Sequence, residues 1–375
     1  MSIELWSSFS SQSYGNIGYY DITMSYSGQY QIAASSNDNN IFISSDYGNT
    51  WSSKEVDQSN GDLQYGWWGV SISGSGQYQL IIDGSQKYLY LSSNYGNTWS
   101  KITNIPLGIN SIYGCAAISE SGQYQLVSLF NGNTYSSNNY GNTWNVTSIN
   151  YTLVNSVAIS STGQYQIAVI HQSSGKIFRS TDYGVTWNAV SNTTYNYVSV
   201  AVSNTGQYQS ALLSDSNIIL ISNNYGSTWV SKTFNNTVIS GTNGNAHNII
   251  ISGTGQYQVI SACNDYIHYS TDYGNNWTTI NELGQQIWYG AAISSDGKYI
   301  SLITLDNSLY ILSQIDNTQG NDNTPPQIVV TPQIDFRQML KPFYTNNSLV
   351  YYKPGSLSAC GVGSVRNSSV KSKKI

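Results

Sequence analysis

The sequence predicts an all-β protein, a seven-bladed β-propeller of four-stranded antiparallel blades. Three observations carry this. A short phrase of Ser or Thr (once Asp), Gly and usually Gln-Tyr-Gln recurs with its glycines at Gly28, Gly76, Gly122, Gly163, Gly206, Gly255 and Gly297, spaced by 48, 46, 41, 43, 49 and 42 residues. A second phrase, Ser-x-(Asp/Asn)-Tyr-Gly-x-(Thr/Asn)-Trp, follows about twenty residues later in six of the seven units. Between the phrases the apolar residues alternate with period two, the signature of strands. Self-similarity at 40–50 residues marks modules that bury their faces only by stacking on neighbours.

Each unit reads as four strands. The first leads into the recurring glycine, which stands four residues after Met24, Ile72, Ile118, Ile159, Val202, Ile251 and Ile293 in turn. Small residues one place earlier (Ser71, Ala117, Ala158, Ala201, Ala292) suit a strand near a central axis. Glycine supplies the positive φ of the following turn cheaply. Second strands begin as in Gln31-Ile32-Ala33-Ala34, third strands read as in Ile218-Ile219-Leu220-Ile221, and fourth strands start at the tryptophans of the second phrase. The last unit lacks that phrase, and Leu5-Trp6-Ser7-Ser8 resembles Thr50-Trp51-Ser52-Ser53. The expectation is that residues 3–8 supply the missing strand and remove both open sheet edges.

The propeller is assigned to residues 1–313, a polar linker to 314–335 and a basic, disordered tail to 336–375. The tail holds seven basic residues and no acid, so the remaining 7 basic and 19 acidic residues leave the body at −12. Charged residues are 9% of the chain, and 32 tyrosines with many Ser, Asn and Gln carry its polarity. No apolar run is long enough to span a bilayer. The N-terminus lacks the pattern of a secretory signal, which points to an intracellular or virion location. Cys115, Cys263 and Cys360 have neither the number nor the spacing of a disulfide framework or zinc site, so Cys115 and Cys263 read as buried thiols. No metal or cofactor is expected.

Ser44-Ser45-Asp46-Tyr47-Gly48-Asn49-Thr50-Trp51 resembles an Asp-box, or BNR repeat, of the kind found in sialidases, sortilin-type receptors, some glucanases and photosystem assembly factors. The resemblance extends to Asp182, Gly184, Trp187 and to Asp272, Gly274, Trp277. Three further copies replace the acid by an amide: Asn94, Gly96, Trp99; Asn139, Gly141, Trp144; and Asn224, Gly226, Trp229. It implies that these residues build the turn between third and fourth strands, on the face away from the ligand. Exchange of Asp for Asn excludes acid–base chemistry at the box. The family's sialidases clamp a carboxylate with three arginines, whereas residues 1–313 contain only Arg179, so sialidase activity is excluded. The basic end resembles the short tails of many proteins predicted from large DNA viruses of protists, which implies a component of a large virus particle.

Function is expected at the mouth of the first strands. Nine residues before each recurring glycine stand Tyr19, Trp67, Tyr113, Val154, Tyr197, Ala246 and Trp288, followed by Tyr20, Trp68, Gly114, Asn155, Val198, His247 and Tyr289. Flat amphipathic side chains there suit a protein or carbohydrate partner. Non-catalytic binding is the favoured reading. The alternative is a glycoside-acting enzyme, for which Asp21 and Asp83 are the carboxylates to inspect, against a bland reading as solvated turn residues. Nucleic acid is expected only as a weak partner of the basic tail.

Overall fold

The computed structural model describes residues 19–35, 40–56, 66–83, 88–105, 114–129, 132–149, 151, 153–171, 175–190, 195–214, 216–234, 246–305, 308–315 and 327–332. These residues are almost wholly strand and turn. The first repeat contributes β1 (Tyr19–Met24), β2 (Gln31–Ser35), β3 (Asn40–Ser44) and β4 (Ser52–Glu55). The second gives β5 (Trp67–Ile72), β6 (Gln79–Asp83), β7 (Leu89–Ser92) and β8 (Ser100–Ile102), and the third β9 (Gly114–Ile118), β10 (Gln125–Leu129), β11 (Thr134–Ser137) and β12 (Asn145–Val146). The fourth comprises β13 (Val154–Ile159), β14 (Gln166–Ile170), β15 (Ile177–Ser180) and β16 (Asn188–Ala189), and the fifth β17 (Tyr197–Val202), β18 (Gln209–Leu213), β19 (Ile218–Ser222) and β20 (Val230–Thr233). The sixth runs through β21 (Ala246–Ile251), β22 (Gln258–Asp265), β23 (Ile267–Ser270) and β24 (Thr278–Ile280). After a 3-10 turn at Asn281–Leu283 come β25 (Gln286–Ile293), β26 (Tyr299–Thr304), β27 (Leu309–Ile315) and β28 (Gln327–Pro332).

Repeats one to five each form a four-stranded antiparallel sheet in chain order. Repeats six and seven share one eight-stranded sheet, because β22 runs on past β21 and pairs Cys263 with Ile287 and Asp265 with Gln286 of β25. The first strands of successive repeats pack side by side, β1 on β5, β5 on β9, β9 on β13, β13 on β17, β17 on β21, β21 on β25, and β25 again on β1. The circle closes. At the glycine end it is bound by backbone hydrogen bonds from each repeat to the next: Tyr26 N–H to Gly74 O, Ser75 to Glu120, Glu120 to Ser161, Ser161 to Asn204, Asn204 to Gly253, Gly253 to Ser295, and Ser295 back to Tyr26 at 2.7 Å.

Apolar burial follows the same circle. One cluster of buried side chains lies between each pair of consecutive repeats, and the last joins Ile22, Met24, Phe42 and Trp51 to Ala292, Ile303, Leu309 and Ile311. Each interface removes apolar surface from water at about 25 cal/mol per Å², so every sheet depends on both neighbours.

The two phrases are the fastening. In the first, Gly28 N–H donates to Ser25 O, Tyr30 N–H donates to Ser25 Oγ, and the buried Gln31 amide donates to Gly28 O. The first glutamine's carbonyl then receives the second phrase: Tyr47 N–H donates to Gln29 O at 3.1 Å, with equivalent bonds at Tyr95, Tyr140, Tyr183, Tyr225 and Tyr273. These tyrosines hold φ between 59° and 64°, a conformation that a bulky side chain adopts only when something holds it there. The holding contact is aromatic. Tyr95 lies 4.8 Å from Tyr30 of the preceding sheet, and Tyr47 lies 5.0 Å from Tyr299 across the closure.

The box acid caps its own turn. Asp46 Oδ1 accepts from Thr50 N–H (2.8 Å) and Ser44 Oγ, while Oδ2 accepts from the Thr50 hydroxyl at 2.6 Å. In the amide copies Asn94 Oδ1 still accepts from Thr98 N–H, but Asn94 Nδ2 donates to the Thr98 hydroxyl at 2.9 Å. The hydroxyl reverses its role, so acid and amide serve equally. The indole of Trp51 donates to Gly48 O at 3.0 Å while its ring packs into the cluster shared with the last repeat.

Three expectations need correction. The place beside β27 is taken by β28, in register from Tyr310↔Pro332 to Ile315↔Gln327, and not by residues 3–8, which lie outside the described residues. Consequently 327–332, assigned above to the linker, belongs to a sheet. Ile328-Val329-Val330-Thr331 is a β-branched run, and flanking prolines suit the start and edge of a strand. Lastly, Cys263 is disulfide-bonded rather than a plain thiol, whereas Cys115 is free.

Candidate functional site

At the end opposite the boxes the first strands carry a common irregularity. The pairing register slips by one residue between Tyr19 and Asp21, Trp67 and Gly69, Val154 and Ser156, Tyr197 and Ser199, Ala246 and Asn248, and Trp288 and Gly290. Such a bulge sets two residues against one on the partner strand and re-aims the side chains. Where its side chain is described, the first residue of the pair turns into the core. Trp67, Tyr197 and Trp288 are fully buried in the clusters between sheets, and Trp288 Nε1 donates to Asp265 O. They are therefore not rim residues, contrary to the expectation from sequence. The bulged residue is the less buried of the two: Trp68, Asn155, Val198 and Tyr289 are each half-buried. The side chains of Tyr19, Tyr20 and His247, and the whole of Tyr113, lie outside the described residues.

Next to this rim a shallow cavity of about 600 Å³ opens among Asn264, Leu283, Gln286, Ile287, Thr304 and Leu305. It lies where the last two repeats join, beside the start of β25.

One residue further in, the wall turns polar. Seven residues before the recurring glycines stand Asp21, Gly69, Cys115, Ser156, Ser199, Asn248 and Gly290. Several of these side chains accept from an N–H of the next repeat: Asp21 Oδ2 from Val70 (3.0 Å), Ser156 Oγ from Val200 (3.2 Å) and Ser199 Oγ from Ile249 (3.2 Å). Asp21 Oδ1 also accepts from Ile22 N–H. Burial pushes the Asp21 carboxyl up to about 7 despite these two bonds, and burial together with the Asp21 charge pushes the Cys115 thiol up to about 12. Both side chains nonetheless keep some accessible surface. Both stand on the innermost ring of strands, enclosed but not wholly covered, where little bulk water reaches them.

At the glycine end side chains also tie the repeats together. Ser161 Oγ donates to Glu120 Oε2, Asn204 Nδ2 donates to Ser295 Oγ, and a Cβ at Gly74 would collide with Tyr26 and Glu120. Burial and the Glu120 charge raise the Tyr26 hydroxyl well above its usual value.

Asp83 is not a solvated turn residue, because it ends β6 almost wholly buried. Sequence reading also missed a chain of Asp265, His268 and Thr279, with Asp265 Oδ2 3.1 Å from His268 Nε2 and His268 Nδ1 3.3 Å from Thr279 Oγ1. His268 is buried against Phe234, so the chain is a core element between the fifth and sixth repeats. No group of three or more metal-ligating side chains occurs among the described residues.

A family model described as sortilin, neurotensin receptor 3, matches residues 175–344. Solved structures are similar over most of the chain. YCF48 bound to a D1 peptide is 13% identical with a TM-score of 0.60, over 78% of this chain and 92% of that one. YCF48 from Cyanidioschyzon merolae is 14% identical with a TM-score of 0.57, over 78% and 94%. The GH74 xyloglucanase from Xanthomonas campestris is 12% identical with a TM-score of 0.65, over 84% of this chain but 55% of its own. The chain is an Asp-box-like β-propeller. No curated protein sequence matches it, and identities this low speak to fold alone. No helix among the described residues is long and apolar enough to cross a membrane.

Proposed function

We propose that this chain is a seven-bladed propeller that recognises a polypeptide partner without catalysis, at the face where its first strands begin. The observation that carries this reading is the recurring bulge. It pins Trp67, Tyr197 and Trp288 in the core and leaves Trp68, Asn155, Val198 and Tyr289 half-buried around the channel mouth. Side chains held this way on rigid strands lose little entropy on binding. The cavity beside β25 adds a concave surface to the same face. The peptide complex of a similar structure fits this reading, and the circle of backbone bonds from Tyr26 to Ser295 and back supports seven blades.

The test is selection of a displayed peptide library on the protein. Selected peptides should bind the wild type and lose at least tenfold in affinity for a Trp68→Ala, Tyr289→Ala double variant with an unchanged melting temperature. Equal binding to the double variant overturns the reading. A glycoside-acting enzyme is the second reading, favoured by the near-neutral Asp21 carboxyl. Such an enzyme needs a second carboxylate within about 5–9.5 Å. Hydrolysis of β-glucan oligosaccharides that is lost in Asp21→Asn would establish it.

A further inference from the structure

Asp21 is the one acid in a wall position that neutral residues fill elsewhere. Ser156 and Ser199 cap the N–H groups of Val200 and Ile249 from equivalent places, as Asp21 caps Val70, and they carry no charge. Where a side chain caps the neighbouring N–H from this position, a neutral hydroxyl suffices, so the cap does not call for an ionisable group. Among the described residues no basic side chain pairs with Asp21, and the ion pairs present lie elsewhere, at His268–Asp265 and Lys298–Asp296. An enclosed carboxylate without a counter-ion is costly to hold, and sites of that kind are retained for what they bind. On the wall Thr23, Cys115, Ser156 and Asn248 keep some accessible surface, as do the apolar Ala158 and Ile250 at the level of Thr23.

We infer that the channel mouth is a binding site for a primary ammonium group, presented by the polypeptide partner as a lysine side chain or a free N-terminus and held by the Asp21 carboxylate. The inference rests on the polypeptide reading above and names the chemical group that reading leaves open. An ammonium brings three donors, and the carboxylate has lone pairs left after accepting from Ile22 and Val70. A quaternary cation lacks these N–H donors. Among the described residues, Cys115 shares the layer of Asp21 and Tyr289 lies on the neighbouring β25, and neither is cationic.

The experiment uses the full chain and n-butylamine at pH 8, followed by calorimetry or chemical-shift titration, with n-butanol and tetramethylammonium as controls. Saturable binding of the amine alone is expected. It should weaken at least tenfold in Asp21→Ser, a change that copies Ser156, and likewise in the wild type at pH 5.5, where the carboxyl is protonated. The pH comparison decides the matter if the variant fails to fold. N-acetyl-lysine amide and glycylglycine amide then tell a side-chain source from an N-terminal one. Equal binding of amine and butanol, or undiminished binding in Asp21→Ser, overturns the inference. Because the probe is a free amine, that failure leaves the peptide selection on Trp68 and Tyr289 unaffected.

Discussion

Ser301 Oγ donates to Gln31 Oε1 at 2.7 Å, across the seam where the last sheet meets the first. Its counterpart between the fifth and sixth repeats is Ser210 Oγ to Gln258 Oε1 at 2.8 Å. At four of the other five junctions the serine position holds Ile32, Leu80, Leu126 or Ile167, and the carbonyls of Gln79, Gln125, Gln166 and Gln209 find no partner among the described residues. The junction of repeats six and seven has Val259 and Ile300 at these places. The seam therefore carries a bond that most junctions do without. Ser301→Ala should cost about 1–3 kcal/mol by leaving a buried carbonyl unpaired, read as a lower urea midpoint. A Ser210→Ala change should match it. No loss in either variant would mean that water already serves these carbonyls.

The box turns predict a graded series at one residue. Asp46→Asn should be near neutral at pH 7, because Asn94 makes the same turn with its Thr98 hydroxyl reversed. Asp46→Ala removes every cap and should cost about 1–2 kcal/mol, as lost capping groups do. Burial opposes the Asp46 charge, but the Thr50 hydroxyl, the Thr50 N–H and Ser44 outweigh it and hold the carboxyl below its usual value. Stability from this group is present above the unfolded value and lost as pH falls through the folded one. Acid unfolding of Asp46→Asn should accordingly be shallower than that of the wild type. Identical acid transitions would remove the assignment.

The fold was legible because both phrases are local. Gly28, Gln31, Asp46 and Trp51 each act within a few residues of themselves, so their spacing exposes the turns. Closure was not legible, since Leu5-Trp6 and Ile328-Val329-Val330 are both credible strands, and pairing is settled by contacts far apart in sequence. The rim was misread for another reason. Trp67 and Trp68 are adjacent and chemically alike, and only the bulge decides which one is buried. Asp21 was found as a candidate, yet its lack of a counter-ion depends on what surrounds it in space.

A chain ending at Ile315 lacks β28 and leaves the ladder side of β27 open from Tyr310 to Ile315. An exposed edge of that length templates further pairing. The truncated protein should melt several degrees lower and form oligomers that light scattering detects. A monomer with the wild-type melting point would show that β28 adds nothing to the last sheet.

His268 holds the buried Asp265 carboxylate at 3.1 Å and touches Thr279. His268→Ala leaves Asp265 with its Tyr266 N–H bond and without the imidazole. Taking a hydrogen-bond partner from a buried polar group costs about 1–3 kcal/mol, more where that group is charged. Thermal denaturation should show a large drop, while Thr279→Val, which removes only the half-exposed hydroxyl, should cost about 1 kcal/mol. Equal losses would place the hydroxyl, not the carboxylate, as the main partner of the ring.

The last expectation concerns pH and Asp21. Its carboxyl is pushed from 3.8 up to about 7 by burial, which outweighs the N–H groups of Val70 and Ile22. Between those values the folded chain keeps a proton that the unfolded chain has released. Stability from this group is therefore full below 3.8, falls as pH rises to about 7, and levels off above. The displacement limits the loss to about 4 kcal/mol. The box acids act in the opposite sense below the carboxylate range, so the wild type should be most stable in mildly acidic solution. Asp21→Ser removes the first trend and leaves the second. Urea midpoints of the two proteins should coincide near pH 4 and separate progressively by pH 8, with the variant the more stable. Curves that stay parallel across that range would show that the carboxyl titrates as an ordinary solvated acid. The case for a site built around Asp21 would then lose its energetic ground.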